Sequence, residues 1–571
     1  MEDGNWTISE RVAVRFTGGR ARTGPPTLGQ TNMLRSVSID EPSGSNARLI
    51  WEVPAGVGVD RIVETVTTLL LRHESLRTTF PTATVQSVAG EGELDAMPVY
   101  EAGDDAHACA DDVARRLRAV RFDPATDLPL RVAVIASHGA PAGVIFVLCH
   151  VAVDAVSQSI LRRETAALLA GEQLPPPTAT QPVELGQMEQ TPAGQRRIAA
   201  SLRYWDDLLR TTPQAMFAAP GVGPTDAMLP RLRIRSTPAA SALARIADRT
   251  GAGRATVVLA AMCALIGHRL GVRTAVVALL SANRLLPHLT DYLGTISQDA
   301  LMSAELDVTT FDELIGRIRD RSLAAYRRST FDSVALWNII DGVAAQRGTH
   351  WARDCVFNDL TGLSSNGLVS GASAVAGVDD GIRLEWLPAE MMPTRLMLWA
   401  VRLDDEVELS VLADPNCLPA ADAEAFGSAI VRLIVEAADR DVDLNELAAL
   451  AELQPVVRGD GWYLIDRCWV ELAAARQLLD DVLEGRPNLV VAVPDDELGH
   501  RLECYVAGDP VAAEQIHTDC VAALEFRPSA MAPHRYILCS QAPAEVDDVD
   551  GWRTLAVTER SGRAQEATTV G

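Results

Sequence analysis

The sequence predicts a mixed α/β fold built of α+β layers, followed by a smaller α+β domain at the C-terminal end. Three observations carry this. Strand-like and helix-like segments intermix through the first 440 residues, as expected for mixed sheets covered by helices. Hydrophobic residues make up 48% of the 571 positions and charged residues 22%, enough apolar material for large cores. That length has room for roughly three to four domains. After about Arg440 the chain changes style to short alternating elements, of the length of one ordinary domain.

The elements are expected in this order. The first thirty residues, rich in Gly, Arg and Pro, read as irregular. A helix is predicted from Asp60, whose side chain can cap it, to His73, with Ile62, Val63, Val66, Leu69 and Leu70 on one face. Residues 144–148 form a buried apolar strand ending at Cys149 and His150. A turn at Asp154 follows, then a helix capped by Ser157 that buries Ile160, Leu161, Leu168 and Leu169. Residues 171–182, with three consecutive prolines, are a loop. Helices are predicted at 197–209, 238–248, 255–270, 311–327 and 420–438, with strands at 231–235 and 276–280. A hairpin spans 396–413 and turns at Asp404-Asp405. Beyond 440, the pattern gives a helix at 473–483, a strand at 488–493 and a turn at 494–499. The tail from Ser561 is polar and is expected to be disordered.

Composition excludes several function classes. The formal net charge is -25, from 51 basic and 76 acidic residues, so neither nucleic acid nor an anionic membrane is an expected partner. All 51 basic residues are arginine, which removes any Schiff-base, phosphate-loop or general-base lysine. The nine cysteines are scattered and odd in number, with no CxxC pair, which suits reduced thiols and gives no metal framework. The start is acidic and lacks an apolar leader, and no run approaches about 18 apolar residues, so a cytoplasmic protein without membrane spans is expected.

Chemistry concentrates at Cys149-His150-Val151-Ala152-Val153-Asp154-Ala155-Val156-Ser157. Histidine is the residue type that accepts and donates a proton near neutral pH, so His150 can take a proton from an attacking amine or donate to a developing oxyanion. This stretch resembles the HHxxxDGxS signature of non-ribosomal peptide synthetase condensation domains. Five further segments resemble that family in the same order. They are Thr27-Leu28-Gly29-Gln30 and Arg72 to Phe80; Tyr204-Trp205 with Leu208-Leu209; Ser281-Ala282-Asn283-Arg284 with Leu293-Gly294 and Ser297-Gln298; and Cys355-Val356-Phe357-Asn358.

The resemblance implies two lobes, each like chloramphenicol acetyltransferase, meeting along a tunnel: residues 1–210 and 211–445. It implies an acyltransferase that forms an amide in antibiotic or other specialised-metabolite biosynthesis. An aminoacyl or acyl group would arrive on the 4'-phosphopantetheine arm of a separate acyl or peptidyl carrier protein, and a small amine would attack its thioester. The acceptor could be a soluble amine such as the amino-sugar of lincosamide antibiotics. Ester formation, and a non-catalytic module that recruits carrier proteins or tailoring enzymes, stay open as alternatives. No cofactor or metal of the chain's own is implied.

By the same resemblance His150 is catalytic, and Asp154 pairs with Arg284 to support the active-site loop. Ala155, Ser157 and Asn358 line the tunnel. Two departures from the pattern matter. Ala155 replaces a glycine and would be strained if its φ were positive. Cys149 replaces the first histidine, as a packing residue or as a thiolate nucleophile beside an imidazole. Successive strand residues point to opposite faces, which argues for packing.

Residues 446–560 show a second resemblance, to the small C-terminal subdomain of adenylation enzymes, through 466–472, 478–483 and 488–505. Cys468 stands where the hinge has glycine, and Asp550-Gly551-Trp552-Arg553 where a catalytic lysine belongs. ATP-dependent acid activation is therefore not expected of a domain so altered. Carrier contact or lobe packing remains as its use, beside no use at all. Residues 561–571 complete the division of the chain.

Overall fold

A computed structural model describes residues 6–39, 41–224, 228–363, 374–379, 381–508 and 512–563. The first lobe is built on a five-stranded sheet ordered Thr7–Phe16, Gly92–Glu101, Leu130–Ser137, Ala140–Cys149, Asn46–Glu52. Helices Val59–Arg72 and Ala155–Leu169 cover one face and Ala106–Arg118 the other. The strand Ala140–Cys149 is buried on both faces, which is why it reads as a continuous apolar run. Its side chains alternate between two cores. Val144, Phe146 and Leu148 join the core under the first two helices, while Ile145, Val147 and Cys149 join the core under Ala106–Arg118.

The second lobe holds an eight-stranded sheet. Its order is Gln298–Glu305, Thr274–Ser281, Cys355–Asp359, Leu396–Leu403, Val407–Ala413, Met228–Ser236, Ile382–Met391, Ala374–Asp379. Helix Arg254–Leu270 is buried almost all round, from Val257 to Ile266, because other helices and the sheet enclose it. Trp205 and Leu209, on the long helix Pro192–Thr211, pack into this core, as do Leu447, Ala451 and Leu453.

A third core begins at Ile465. It covers a four-stranded sheet ordered Asn488–Asp495, Gly499–Ala507, Arg535–Cys539, Val557–Gly562, with a separate hairpin of Trp462–Ile465 and Cys468–Glu471. This unit is docked on the end of helix Ser333–Arg347. Arg347 donates to Asp466 Oδ2 at 2.6 Å and to the Asp466 carbonyl at 2.7 Å. The His517 ring nitrogen Nε2 lies 2.6 Å from the Ala345 carbonyl, and Ala532 N–H donates to Gly348 O at 2.9 Å. Gly348 ends the helix at φ +59°, and a side chain there would also meet the Arg563 guanidinium, 2.6 Å from its Cζ. Only glycine serves both needs.

Several sequence expectations shift. The helix expected from Asp60 starts at Val59 after Gly58, so Asp60 sits in its first turn and does not cap it. Asp154, not Ser157, caps helix Ala155–Leu169, accepting from the Ser157 N–H. The opening residues are not irregular: Thr7–Phe16 is a strand, and Leu28–Ile39 a helix. Ser561 and Gly562 lie in the last strand; the expected tail from residue 564 onward lies outside the described residues. The hairpin at Asp404-Asp405 and the helices near 255–270, 311–327 and 420–438 form as the pattern predicts. All nine cysteines are unpaired and buried. Among the described residues, no single helix is long and apolar enough to cross a membrane.

Candidate functional site

The lobes are joined at the turn after the strand Ala140–Cys149. Asp154 is 1% exposed, and its carboxylate collects donors from both lobes. From the first lobe, Ser157 N–H and Oγ lie 2.9 Å from Oδ1. From the second, Arg284 donates through Nη1 and Nη2 at 2.8 Å each. Ser297 Oγ adds a bond of 2.9 Å, with the Ile296 and Ser297 N–H groups at 3.2 and 3.3 Å. Burial opposes the charge on Asp154, but Arg284 and these donors outweigh it and hold the carboxyl below the usual aspartate range. Arg284 also donates to the carbonyls of Ala282, Tyr292 and Gly294, so a largely buried guanidinium is saturated.

Two further contacts fix the seam. Leu293 of the second lobe inserts into the first lobe's core. The helix Leu28–Ile39 comes so close to residues 295–296 that a Cβ on Gly29 would collide with the Thr295 carbonyl and lie 2.8 Å from Ile296 Cα. This accounts for the glycine of the Thr27–Gln30 segment. The Arg72–Phe80 segment is structural too. His73 Nε2 lies 2.6 Å from Glu164 Oε2, and Arg72 Nε 3.1 Å from Glu164 Oε1. These bonds tie helix Val59–Arg72 to helix Ala155–Leu169.

A cavity of about 1140 Å³ opens between the lobes. His150, Asp154, Ala155, Arg284 and Asn358 all line it, so the structure brings these five predicted site residues together. Among the described residues the buried His150 Nδ1 has no hydrogen-bond partner. Ala155 is the first residue of a helix and has no positive φ, so the expected strain at the glycine-to-alanine change is absent. Ser157 does not line the cavity. It is fully buried, and its hydroxyl links Asp154 to the N–H and carbonyl of Gly294, each at 2.9 Å.

Cys149 does not line the cavity either. It belongs to the core under Ala106–Arg118, and burial pushes its thiol up to about 11. The structure therefore does not bring Cys149 and His150 to a common site. Sequence reasoning missed the aromatic wall: Trp205, Trp337, Trp351 and Trp399 line the cavity, as does an Asp299–Arg353 ion pair with bonds of 2.6 and 2.9 Å. Tyr204-Trp205 was visible as a motif; the other members come from scattered positions with no shared spacing. Among the described residues, no group of three or more His, Cys, Asp or Glu is placed to hold a metal ion. In the third domain Trp552 is fully buried and Arg553 bonds Asp550.

The condensation domain family model matches residues 30–347, more than half of the chain, and the chain belongs to that family. It is 25% identical over 309 residues to phosphinothricin tripeptide synthetase PhsC of Streptomyces viridochromogenes, covering 49% of this chain and 28% of that one. It is 26% identical over 293 residues to surfactin synthase subunit 2 of Bacillus subtilis, covering 50% and 8%. The chain thus spans less than a third of these relatives.

Among solved structures, the condensation domain of the monacolin K polyketide synthase MokA superposes with a TM-score of 0.58 at 17% identity, covering 74% of this chain and 99% of that one. The X-domain from teicoplanin biosynthesis, in complex with OxyB, gives 0.57 at 18%, covering 80% and 100%. These likenesses show that the fold is the mixed α/β one of condensation domains.

Replacing Asp154 with alanine strands the buried Arg284, which should cost about 3–5 kcal/mol. Urea unfolding of Asp154→Ala should show that loss together with lower soluble yield; a fully stable but inactive variant would move Asp154 into the chemistry. A second expectation concerns Glu189, which lines a neighbouring cavity of about 490 Å³ and whose carboxyl burial pushes up to about 7. Because the folded state holds this proton more tightly, Glu189 costs stability progressively as pH rises from the ordinary carboxylate range through about 7. Glu189→Gln should therefore raise Tm at pH 8 more than at pH 5. Equal shifts at both would refute it.

Proposed function

We propose that the protein is a condensation enzyme. It transfers an aminoacyl or acyl group from the 4'-phosphopantetheine thioester of a separate carrier protein to an amine, forming an amide. The observation that carries this reading is the placement of His150 at the lobe seam, lining a cavity large enough for both reacting groups. In the reaction the amine nitrogen bonds to the thioester carbonyl carbon, the C–S bond breaks, and the proton lost by nitrogen ends on the thiol sulfur.

The geometry favours a donating histidine. Orphaned N–H groups are rarer inside proteins than orphaned acceptors, so the partnerless Nδ1 takes the unprotonated form and Nε2 carries the hydrogen. Among the described residues no carboxylate bonds Nδ1 to stabilise an imidazolium, unlike a triad histidine. His150 then holds the developing oxyanion by Nε2–H while Asp154 and Arg284 fix the loop it stands on. Cys149 packs and takes no part in acyl transfer. The acceptor is a soluble or carrier-bound amine, and an amino-sugar of the lincosamide kind lies within this class. The third domain, a degenerate adenylation subdomain in this reading, has no ATP-dependent role; it supports the second lobe.

A second reading has one observation in its favour. The teicoplanin X-domain, a structural neighbour, was solved in complex with OxyB. A non-catalytic docking role would be the counterpart here.

One experiment separates these. With a loaded carrier and candidate amines, His150→Ala should lose at least about a hundredfold in rate. His150→Gln, which keeps a donor without basicity, should retain more than alanine does. Cys149→Ser should change the rate only modestly, and intact-mass spectrometry without acceptor should show no acyl adduct on the wild type. A folded His150→Ala with near-normal rate would sink the catalytic reading, and an adduct mapped to Cys149 would overturn its packing role.

A further inference from the structure

The lining of the large cavity says what kind of group enters it. Four of the chain's ten tryptophans line this one space. Trp205 meets Phe331 and Trp351 edge-on, with ring centroids 5.3 and 5.8 Å apart, so part of the wall is a continuous aromatic surface. Trp205, Trp351 and Trp399 are nearly covered, so Trp337 offers most of the aromatic surface to a planar or ring-bearing group, on a rigid backing and at little entropic cost.

The charges point the same way. Among the described lining residues the formal charges are Asp154, Asp299 and Asp359 against Arg284 and Arg353, three negative and two positive. Both guanidiniums are already charge-paired with a lining aspartate. Arg284 is clamped by Asp154, and Arg353 gives Nε and Nη2 to Asp299. Asp359 turns its carboxylate onto its own loop, accepting from the Thr361 N–H at 3.0 Å and hydroxyl at 2.6 Å. His350 also lines the cavity, and burial pushes its imidazole down from the ordinary range, so it adds no cation at neutral pH. Arg35 stacks on Trp337 at 4.2 Å from an exposed helix position, so that cation lies outside the lining. A carboxylate entering this space would leave water for a slightly negative, apolar lining in which, among the described residues, each cation is already paired with an aspartate.

We propose that this cavity takes a ring-bearing amine or acyl group without a free carboxylate, and that a free α-amino acid is therefore not the acceptor. The inference rests on the condensation reading for its chemistry, but it concerns binding alone and is tested without a carrier.

The test is isothermal titration of the full-length protein with two probes that differ only by the charged group: 2-(2-naphthyl)ethylamine and 3-(2-naphthyl)alanine. The amine should bind saturably, and the amino acid at least about tenfold more weakly. Trp337→Ala should weaken the amine at least about fivefold. Asp299→Asn frees Arg353 and should narrow the gap between the probes; if that variant does not fold, Asp359→Asn, at an exposed position, should narrow it in the same sense. Equal or tighter binding of the amino acid, no saturable binding of either probe, or a gap unmoved by the aspartate variants would overturn the proposal. Loss of turnover in His150→Ala with no probe binding would defeat this inference alone. Tight, carboxylate-averse binding beside a His150-independent turnover would defeat the catalytic reading alone.

Discussion

The ion pair between Asp154 and Arg284 is the constraint on which the site depends. Both charged groups are buried, so each alone would be untenable, and together they are worthwhile only because every remaining donor and acceptor is used. Asp154 is at once the N-cap of helix Ala155–Leu169 and the acceptor of second-lobe N–H groups at Ile296 and Ser297. One carboxylate therefore sets the start of the helix, the shape of the turn that carries His150, and the register of one lobe against the other. Glutamate, one methylene longer, could not keep the capping geometry and the bidentate pair together. That is a reason for the residue type that needs no catalytic role for it.

The same turn explains why two neighbouring residues have different fates. The strand Ala140–Cys149 is interior to its sheet and hands alternate side chains to two cores. Cys149 is its last residue and still obeys that alternation, so its thiol goes with Ile145 and Val147. His150 is the first residue beyond the strand and is free to turn into the seam. A nucleophile–base pair needs both groups within hydrogen-bond reach. Here the end of the strand separates them, although they are adjacent in sequence.

How far the site was legible follows from how local its determinants are. His150, Asp154, Arg284 and Asn358 could be named because each stands in a short segment that resembles a condensation-domain motif, and the structure places all four at the cavity. Ser157 was misplaced because hydroxyls cap helices and line cavities equally well, and only the position of Gly294 decides between these uses. The strand Thr7–Phe16 was missed because it lies at the edge of its sheet and is largely solvated on one side, with Glu10, Arg11 and Arg15 among its ten residues. The aromatic wall was invisible because Trp205, Trp337, Trp351 and Trp399 come from separate elements and are gathered only by the fold of the second lobe.

The third domain can be understood from where it grips. Helix Ser333–Arg347 lends Leu336, Trp337 and Ile340 to the cavity, and the loop beyond it lends His350, Trp351 and Arg353. The junction between the two is where Arg347, Gly348 and Ala345 are held by Asp466, Ala532 and His517. Arg347 uses its remaining nitrogen on the carbonyls of Leu209 and Thr212, at the end of the helix that supplies Trp205. A buried arginine bonded at once to the third domain and to both wall helices transmits the position of each to the others. Such an anchorage opposes large rotation of the domain, since swinging it away would leave Arg347 and Asp466 without each other. The third domain thus holds one wall of the cavity at the point where helix gives way to loop.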